Sequence, residues 1–497
     1  MSAEVLEVDV AVVGAGASGL YAALCAAREG ARVALLSATP LAQTASYWAQ
    51  GGLAAALAAD DSPQLHLADT ERAGRRAVRR AAAEVLVAEA PACVRDLQAL
   101  GVRFDADRFG QLALGLEGGH SVRRVVHAGG SATGRRLLRQ LSALVVEDPR
   151  IRVLEGARAR ALWVQQDPTD RRCHGVACED GRVVGARAVL LSTGGAAALW
   201  ARTTNPPGSQ GVGLLLAHAA GARLADLEFL QFHPTAVIGV RGREGFLITE
   251  AIRGEGATLH DTGGERFVDE LAPRDEVSRA IQARLEQTGA RSVGLDMRAI
   301  DPALFPNVVA ALREAGLDPA RELVPVAPAA HYMMGGVATD LHGRSSVAGL
   351  YAVGETACTG LHGANRLASN SLSECFVFAA RAARAALAET SPPPALPPPA
   401  RERAIAALRE LPAPAVASAS TRAALWRDAG IMRSHDGLAR LAQDPHPLAR
   451  LIARGAAARN ESRGAHLRVE HPEPDPALDH RHIVIPDDER VAWETWA

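Results

Sequence analysis

The stretch that most constrains this chain is Gly14-Ala15-Gly16-Ala17-Ser18-Gly19. It follows an apolar run, Val8 to Val13, that reads as a buried strand. It opens a segment, Ser18 to Arg28, whose apolar residues recur at helical spacing, and a second apolar run follows at Ala31 to Leu36. Strand, glycine turn, helix, strand is one βαβ unit, which commits the chain to a parallel sheet. In such a turn the first glycine makes the reversal, and the second lets backbone N–H groups approach a pyrophosphate. The third lets helix pack on strand, and the helix N-terminus faces the anion. A dinucleotide is therefore expected at Gly14, Ala15, Gly16, Ala17, Ser18 and Gly19. The position at the extreme N-terminus favours FAD over NAD, by analogy with flavoproteins. The second strand ends in Ser37 and Ala38 rather than in the acid that commonly holds the ribose. A hydroxyl bonds there more weakly than a carboxylate.

The chain has 497 residues, beyond the roughly 250–300 at which single cores stop growing, so two or three domains are expected. Residues 60–100 read as largely helical, 150–191 as short strands, and 211–220 as a helix. The texture changes over 239–321, where charges and short mixed elements suggest an insertion. Residues 349–353 read as a return to the parallel sheet, with a helix from about Ser371. The proline-rich stretch 391–400 reads as a stiff linker, and 401–458 as helices rich in Ala, Leu and Arg.

Composition removes several chemistries. All 54 basic residues other than histidine are arginine. With no lysine there is no Schiff-base chemistry on pyridoxal phosphate and no P-loop lysine. A net charge of -2 favours neither nucleic acid nor a membrane surface. Cys25, Cys93, Cys173, Cys178, Cys358 and Cys375 show no metal-ligand spacing, so no metal is expected and a reduced cytoplasmic setting is the simplest reading. Glu4, Glu7 and Asp9 stand where a signal peptide would be basic, and no charge-free apolar stretch is long enough to span a membrane.

Seven further segments fall in order. They are Ala49-Gln50-Gly51-Gly52, Glu117-Gly118-Gly119-His120-Ser121, Gln231-Phe232-His233-Pro234-Thr235, Thr249-Glu250-Ala251, Leu271-Ala272-Pro273-Arg274-Asp275, His331-Tyr332, and the run from Thr359 to Ser371 that contains Arg366. Together they resemble the succinate dehydrogenase/fumarate reductase flavoprotein family. The resemblance extends into the tail through residues 426–433 and Glu461-Ser462-Arg463-Gly464. It implies an α/β Rossmann-like FAD-binding domain over 1–238 and 331–390, interrupted by an α+β capping domain over 239–330. A C-terminal helical bundle domain over 401–497 follows the 391–400 linker.

The same resemblance implies the site. A dicarboxylate needs two anion clamps. Arg366 and His331 are expected at one carboxylate, and His233, Gln231 and Thr249 at the other. Arg274 matches the family's proton-transfer residue; arginine holds its proton at neutral pH, so a carboxylate partner is needed, with Asp275 and Glu276 as candidates. Glu117 would face a substrate ammonium, which points to L-aspartate rather than succinate. On the cofactor side, Ala45, Ser46, Tyr47, Gln50, Gly51 and Gly52 would line FAD, and Glu355 would bond the ribityl chain. Ser371 and Leu372 would present a helix N-terminus to the ring. Ala45 stands where membrane-bound relatives carry the histidine that bonds covalently to flavin, so non-covalent FAD is expected. Val212 replaces a family Asp that contacts the cofactor, so FAD is expected to be held more weakly than in relatives. The implied reaction takes L-aspartate to iminoaspartate, with O2 or fumarate as acceptor and a quinolinate synthase consuming the product. A fumarate reductase-type subunit on an iron–sulfur partner is one alternative, against which Ala45, Glu117 and the tail argue. A non-catalytic flavin module is another, against which Arg274, His331 and Arg366 argue.

Overall fold

The structure, a computed structural model, describes residues 5–41, 44–165, 171–389 and 398–496. Strand Val5–Val13 pairs in parallel with Val33–Ser37 on one side and Val183–Leu191 on the other. Both faces of this sheet are covered, which is why its strands are near-continuous apolar runs. From one edge the order is Ile151–Glu155, Val33–Ser37, Val5–Val13, Val183–Leu191, Arg172–Cys178, Ala159–Gln165. Leu350–Ala352 adds in parallel along the end of Val183–Leu191, as the sequence suggested. The carboxyl ends of these strands bring Gly14, Ser37, Ser192 and Val353 to one edge, where open α/β sheets bind ligands. Helices Ala17–Arg28 and Asn370–Leu387 share one face, with Tyr21 edge-on to Phe376 at 5.2 Å.

A second sheet is antiparallel, in the order Leu230–Val237, Val324–Met333, Val293–Asp296, Thr258–His260. Two of its strands pair with each other from Leu230 opposite Met333 to Val237 opposite Val326, across the limits of 239 and 330 expected from the sequence. Every residue of Leu230–Val237 is buried, and an unbroken buried strand carries no composition signal at which to place a boundary. Helix Arg274–Thr288 lies on this sheet, where Ser278 Oγ donates to the Phe232 carbonyl at 3.1 Å.

The tail is less bundle-like than its composition suggests. Residues 391–397 of the expected linker lie outside the described residues, and 398–400 already belong to helix Pro398–Glu410. That helix packs Ile405 and Leu408 on Ala161 and Trp163 of Ala159–Gln165, the antiparallel edge strand of the first sheet. Helices Ala419–Asp428, His435–Leu441 and Pro447–Ala458 do pack in sequence. Strand Arg481–Ile485 then pairs with Leu224–Ala225 and with Ala492–Thr495, stitching the tail into a third sheet. The sequence itself reads as one short strand at His482 to Ile485 within that charged tail, and the strand forms there. No helix among the described residues is long and apolar enough to cross a membrane.

Candidate active site

The glycine turn separates packing from ligand approach. Gly14 has φ 111°, and a Cβ there would lie 2.3 Å from the Ser192 carbonyl oxygen. A Cβ on Gly19 would lie 2.0 Å from the Gly14 oxygen. Both positions exclude larger residues by internal contact. Gly16 does not: an added Cβ would meet only Ser46 Oγ at 3.3 Å, so close approach of a ligand is the remaining reason for glycine. Ser46 Oγ accepts from Ala17 N at 3.2 Å, which sets the short helix Ala45–Trp48, carrying Ser46 and Tyr47, at the N-terminus of Ala17–Arg28. Thr44 Oγ1 and Gln50 Oε1 are buried without a partner, as atoms facing a polar ligand are when it is absent. These features fit FAD.

Other cofactor-side residues are committed within the protein. Gln50 Nε2 donates to the Leu247 carbonyl at 2.8 Å, which ties the cofactor loop to the second sheet. Gly52 N donates to Ser369 Oγ at 3.1 Å, and a Cβ on Gly51 would approach that hydroxyl to 3.3 Å. Glu355 accepts from Met333 N at 2.9 Å, and burial pushes its carboxyl up to about 7. Ser371 and Leu372 lie in the first turn of Asn370–Leu387. Ser37 Oγ donates to the carbonyl of Thr39, so its proton serves its own turn. Val212 opens helix Val212–Ala219 with its side chain against the core.

The residues expected at the substrate converge from five segments, around Gln231, Thr249, Arg274, His331 and Arg366. Arg274 Nε donates to Glu250 Oε2 at 2.6 Å, and Arg274 Nη1 to Gln231 Oε1 at 3.1 Å. Gln231 Nε2 in turn donates to Asn365 Oδ1 at 2.8 Å and to the Arg366 carbonyl at 2.9 Å. Arg366 Nη1 donates to Ser371 Oγ at 2.6 Å, and Nη2 lies 3.4 Å from His331 Nε2. Its guanidinium sits over the Tyr332 ring at 4.4 Å. His331 Nδ1 bonds Thr204 Oγ1 at 2.8 Å, and its ring lies 5.2 Å from that of His233. His233 and Thr249 are both buried, and Thr235 N donates to His233 Nδ1 at 3.3 Å. A cavity of about 110 Å3 opens between Gly118, Gly119, Arg274 and Arg366.

Glu117 is not the solvated loop residue that its glycine neighbours suggest. It is 6 % exposed, accepts from Ser369 Oγ at 2.6 Å, and has His127 Nε2 at 3.3 Å. Burial would raise its carboxyl, but the bonds from His127 and Ser369 hold it down at about 2. Glu250 stays ionised in the same way, because Arg274 and Arg253 outweigh its burial. Burial, then the neighbouring guanidinium groups, keeps His233 and His331 neutral well below the usual histidine range. Burial, then Arg274, lowers Arg366 to about 10.

One expectation is overturned. Asp275 and Glu276 do not partner Arg274; they bind Arg75, at 3.1 Å and 2.6 Å. The partner is Glu250, with Arg253 at 3.2 Å on its far oxygen. Sequence reasoning also missed Asn365 and Ser369. Glu250 and Arg253 are three apart, the spacing of one helix face, and that was the available signal.

The FAD binding domain family matches residues 9–372, and the fumarate reductase flavoprotein C-terminal family matches 441–496. The chain is 47% identical to an L-aspartate oxidase of Caulobacter vibrioides over 94% of each chain. It is 41% identical to one of Streptomyces coelicolor, over 96% of this chain and 91% of the relative. Among solved structures, a quinol-fumarate reductase chain superposes with a TM-score of 0.89 at 27% identity, covering 99% of this chain and 98% of that one. A Mycobacterium smegmatis Sdh1 chain gives 0.82 at 30%, covering 97% and 92%. With its FAD edge, paired arginines and buried Glu117, the chain belongs to the L-aspartate oxidases of the succinate dehydrogenase/fumarate reductase flavoprotein family.

Proposed function

We infer that the protein oxidises L-aspartate to iminoaspartate. The observation that carries this reading is Glu117: a buried, ionised carboxylate beside two cationic clamps suits a substrate with one ammonium and two carboxylates. When bound, FAD supplies the hydride acceptor. Arg366, with neutral His331 beside it, takes one carboxylate by its planar fork. Neutral His233, whose Nδ1 accepts from Thr235, has Nε2–H left to donate, and with Thr249 it closes on the other; Gln231, expected there, is instead fully used by Asn365, the Arg366 carbonyl and Arg274, and positions the two arginines. Glu117 orients the ammonium, which loses a proton as Cα loses its hydride. Arg274 Nε is bonded to ionised Glu250, so a proton taken at the guanidine end can leave through Glu250 toward Arg253. Arg253 is buried, and its Nη1 donates to the backbone carbonyl of Glu270, which holds it beside Glu250.

The finer architecture follows the same reading. The second sheet with helix Arg274–Thr288 is a cap over the FAD-binding unit, and the C-terminal segment braces both. FAD is held without a covalent bond, since Ala45 offers none, and Val212 leaves it with one contact fewer. O2 or fumarate reoxidises it, in the cytoplasm, and a quinolinate synthase takes the unstable imine.

Anaerobic absorbance spectra of the flavoprotein test the reading. L-Aspartate should bleach the flavin band within seconds. Bleaching by succinate and not by L-aspartate would overturn it.

A further inference from the structure

The tail segment Glu461-Ser462-Arg463-Gly464 has no part in the chemistry above, yet it reaches the site. Arg463 is 4 % exposed. Its Nε and Nη2 each donate to Glu461 at 2.8 Å, and its Nη1 donates to the backbone carbonyl of Arg75 at 2.7 Å. Just beyond, Ala465 N donates to the Ala364 carbonyl at 2.8 Å. Gly464 has φ 55°, and a Cβ there would lie 2.4 Å from that same oxygen. The tail thus grips two turns, one at Arg75 and one leading into Asn365 and Arg366.

The first turn is strained. Arg75 and Arg76 are consecutive non-glycine residues at φ 55° and 62°, and residues so held persist only where their surroundings over-determine them. The two side chains diverge. Arg76 pairs outward with Asp479 at 2.9 Å. Arg75 turns inward to Asp275 and Glu276, the second and third residues of the helix that begins with Arg274. Asp275 Oδ1 also accepts from Asn365 Nδ2 at 3.1 Å. Asn365 binds Gln231, and Gln231 binds Arg274. A continuous set of bonds therefore runs from Glu461 to Arg274, with Arg75 as the link between tail and helix.

We propose that Arg75 is a positioning residue for the oxidation, carrying the grip of the Arg463 segment to the helix that presents Arg274. Arg75 lines the cavity, but its guanidinium is already committed to Asp275 and Glu276, where it fixes the start of that helix. The inference rests on the reading of Arg274 as the proton-handling group. Small misplacement of a reacting group costs rate more than binding. Removing the link should therefore slow chemistry while leaving the Arg366 clamp effective.

Four holoproteins test this: the unaltered chain, Arg75→Gln, Arg75→Lys and Arg76→Gln. Anaerobic flavin reduction by saturating L-aspartate should fall by about tenfold or more in Arg75→Gln, with the Kd for succinate within about threefold. Arg75→Lys should recover part of the rate, and Arg76→Gln should stay within about twofold, as expected for an exposed pair. Amide exchange over residues 276–280 should quicken in Arg75→Gln alone. Equal loss in both Gln variants, equal loss of rate and affinity, or an unchanged Arg75→Gln would overturn the proposal. If the unaltered chain is not reduced by L-aspartate, the substrate reading fails instead. Exchange over 276–280 then still decides the link, which stands if only Arg75→Gln quickens and falls otherwise.

Discussion

Two buried arginines, Arg274 and Arg366, line the cavity proposed for the substrate, in opposite electrostatic settings. Arg274 is matched by a carboxylate, Glu250, at 2.6 Å. Arg366 has no carboxylate within ion-pair distance among the described residues; it has a hydroxyl, a neutral imidazole, an aromatic face and a buried Nε without a partner. An unmatched buried cation is costly, and the cost falls when an anionic ligand arrives. That setting supports the proposed role of Arg366 as the clamp for a substrate carboxylate. A matched arginine has its counter-ion already and gains less from a second; what it gains is somewhere to send a proton. One residue type thus serves two purposes, and the partner decides which.

The sharpest way to break the contrast is at the matched end. Arg274→Gln should lower the rate of anaerobic flavin reduction by about 10²–10⁴-fold, the usual range for lost acid–base catalysis. Succinate affinity, followed by its perturbation of the flavin spectrum, should change far less. At the unmatched end the pattern should invert. Arg366→Gln should weaken succinate binding by on the order of 10²-fold, since truncating a buried charged contact costs about 2–5 kcal/mol. A titration that shows affinity retained would place the clamp elsewhere.

Glu117→Gln probes the ammonium, which neither arginine recognises. L-Aspartate KM should rise about tenfold, in line with about 1.5–3 kcal/mol for a hydrogen bond to a charged group. Fumarate binding, which involves no ammonium, should stay nearly constant, and equal effects on both ligands would remove the assigned role.

The smallest effect is that of pH on stability. His233 and His331 have folded pKa values far below the ordinary 6.5, because burial and then nearby guanidinium groups disfavour their protonation. As pH falls through 6.5 the unfolded chain takes up protons that the folded chain refuses, so stability should drop. Glu117 adds a second window: its stabilisation is present above its ordinary 4.5 and is lost as pH falls toward about 2. Melting temperatures between pH 8 and pH 4 should decline from near pH 6.5 downward, and His331→Gln should flatten that part of the curve.

Much of this was legible in advance. The glycine turn, the parallel strands and the return strand at 350–352 follow from local pattern, because a buried parallel strand announces itself as an apolar run. The residues proposed for the two clamps came from ordered resemblance, and the fold brings Arg366, His331, His233 and Gln231 into one neighbourhood. The edges of the second sheet were not, since Leu230–Val237 is buried throughout and its limits are set by pairing with Val324–Met333. Nor was the state of Glu117, where the neighbouring glycines suggest an open loop and the fold instead closes Ser369 and His127 over it.

A dinucleotide edge, the absence of lysine chemistry and the arginines available to a dicarboxylate can be read from residue order and composition alone. The partners of those arginines come from the fold. Asp275 and Glu276 follow Arg274 directly, but successive helical side chains point about 100° apart, so neighbours in the chain do not face one another. Glu250, 24 residues earlier, reaches Arg274 because the strand, loop and helix between them fold it back. The same geometry leaves Asp275 and Glu276 to Arg75, and through Arg75 to the tail.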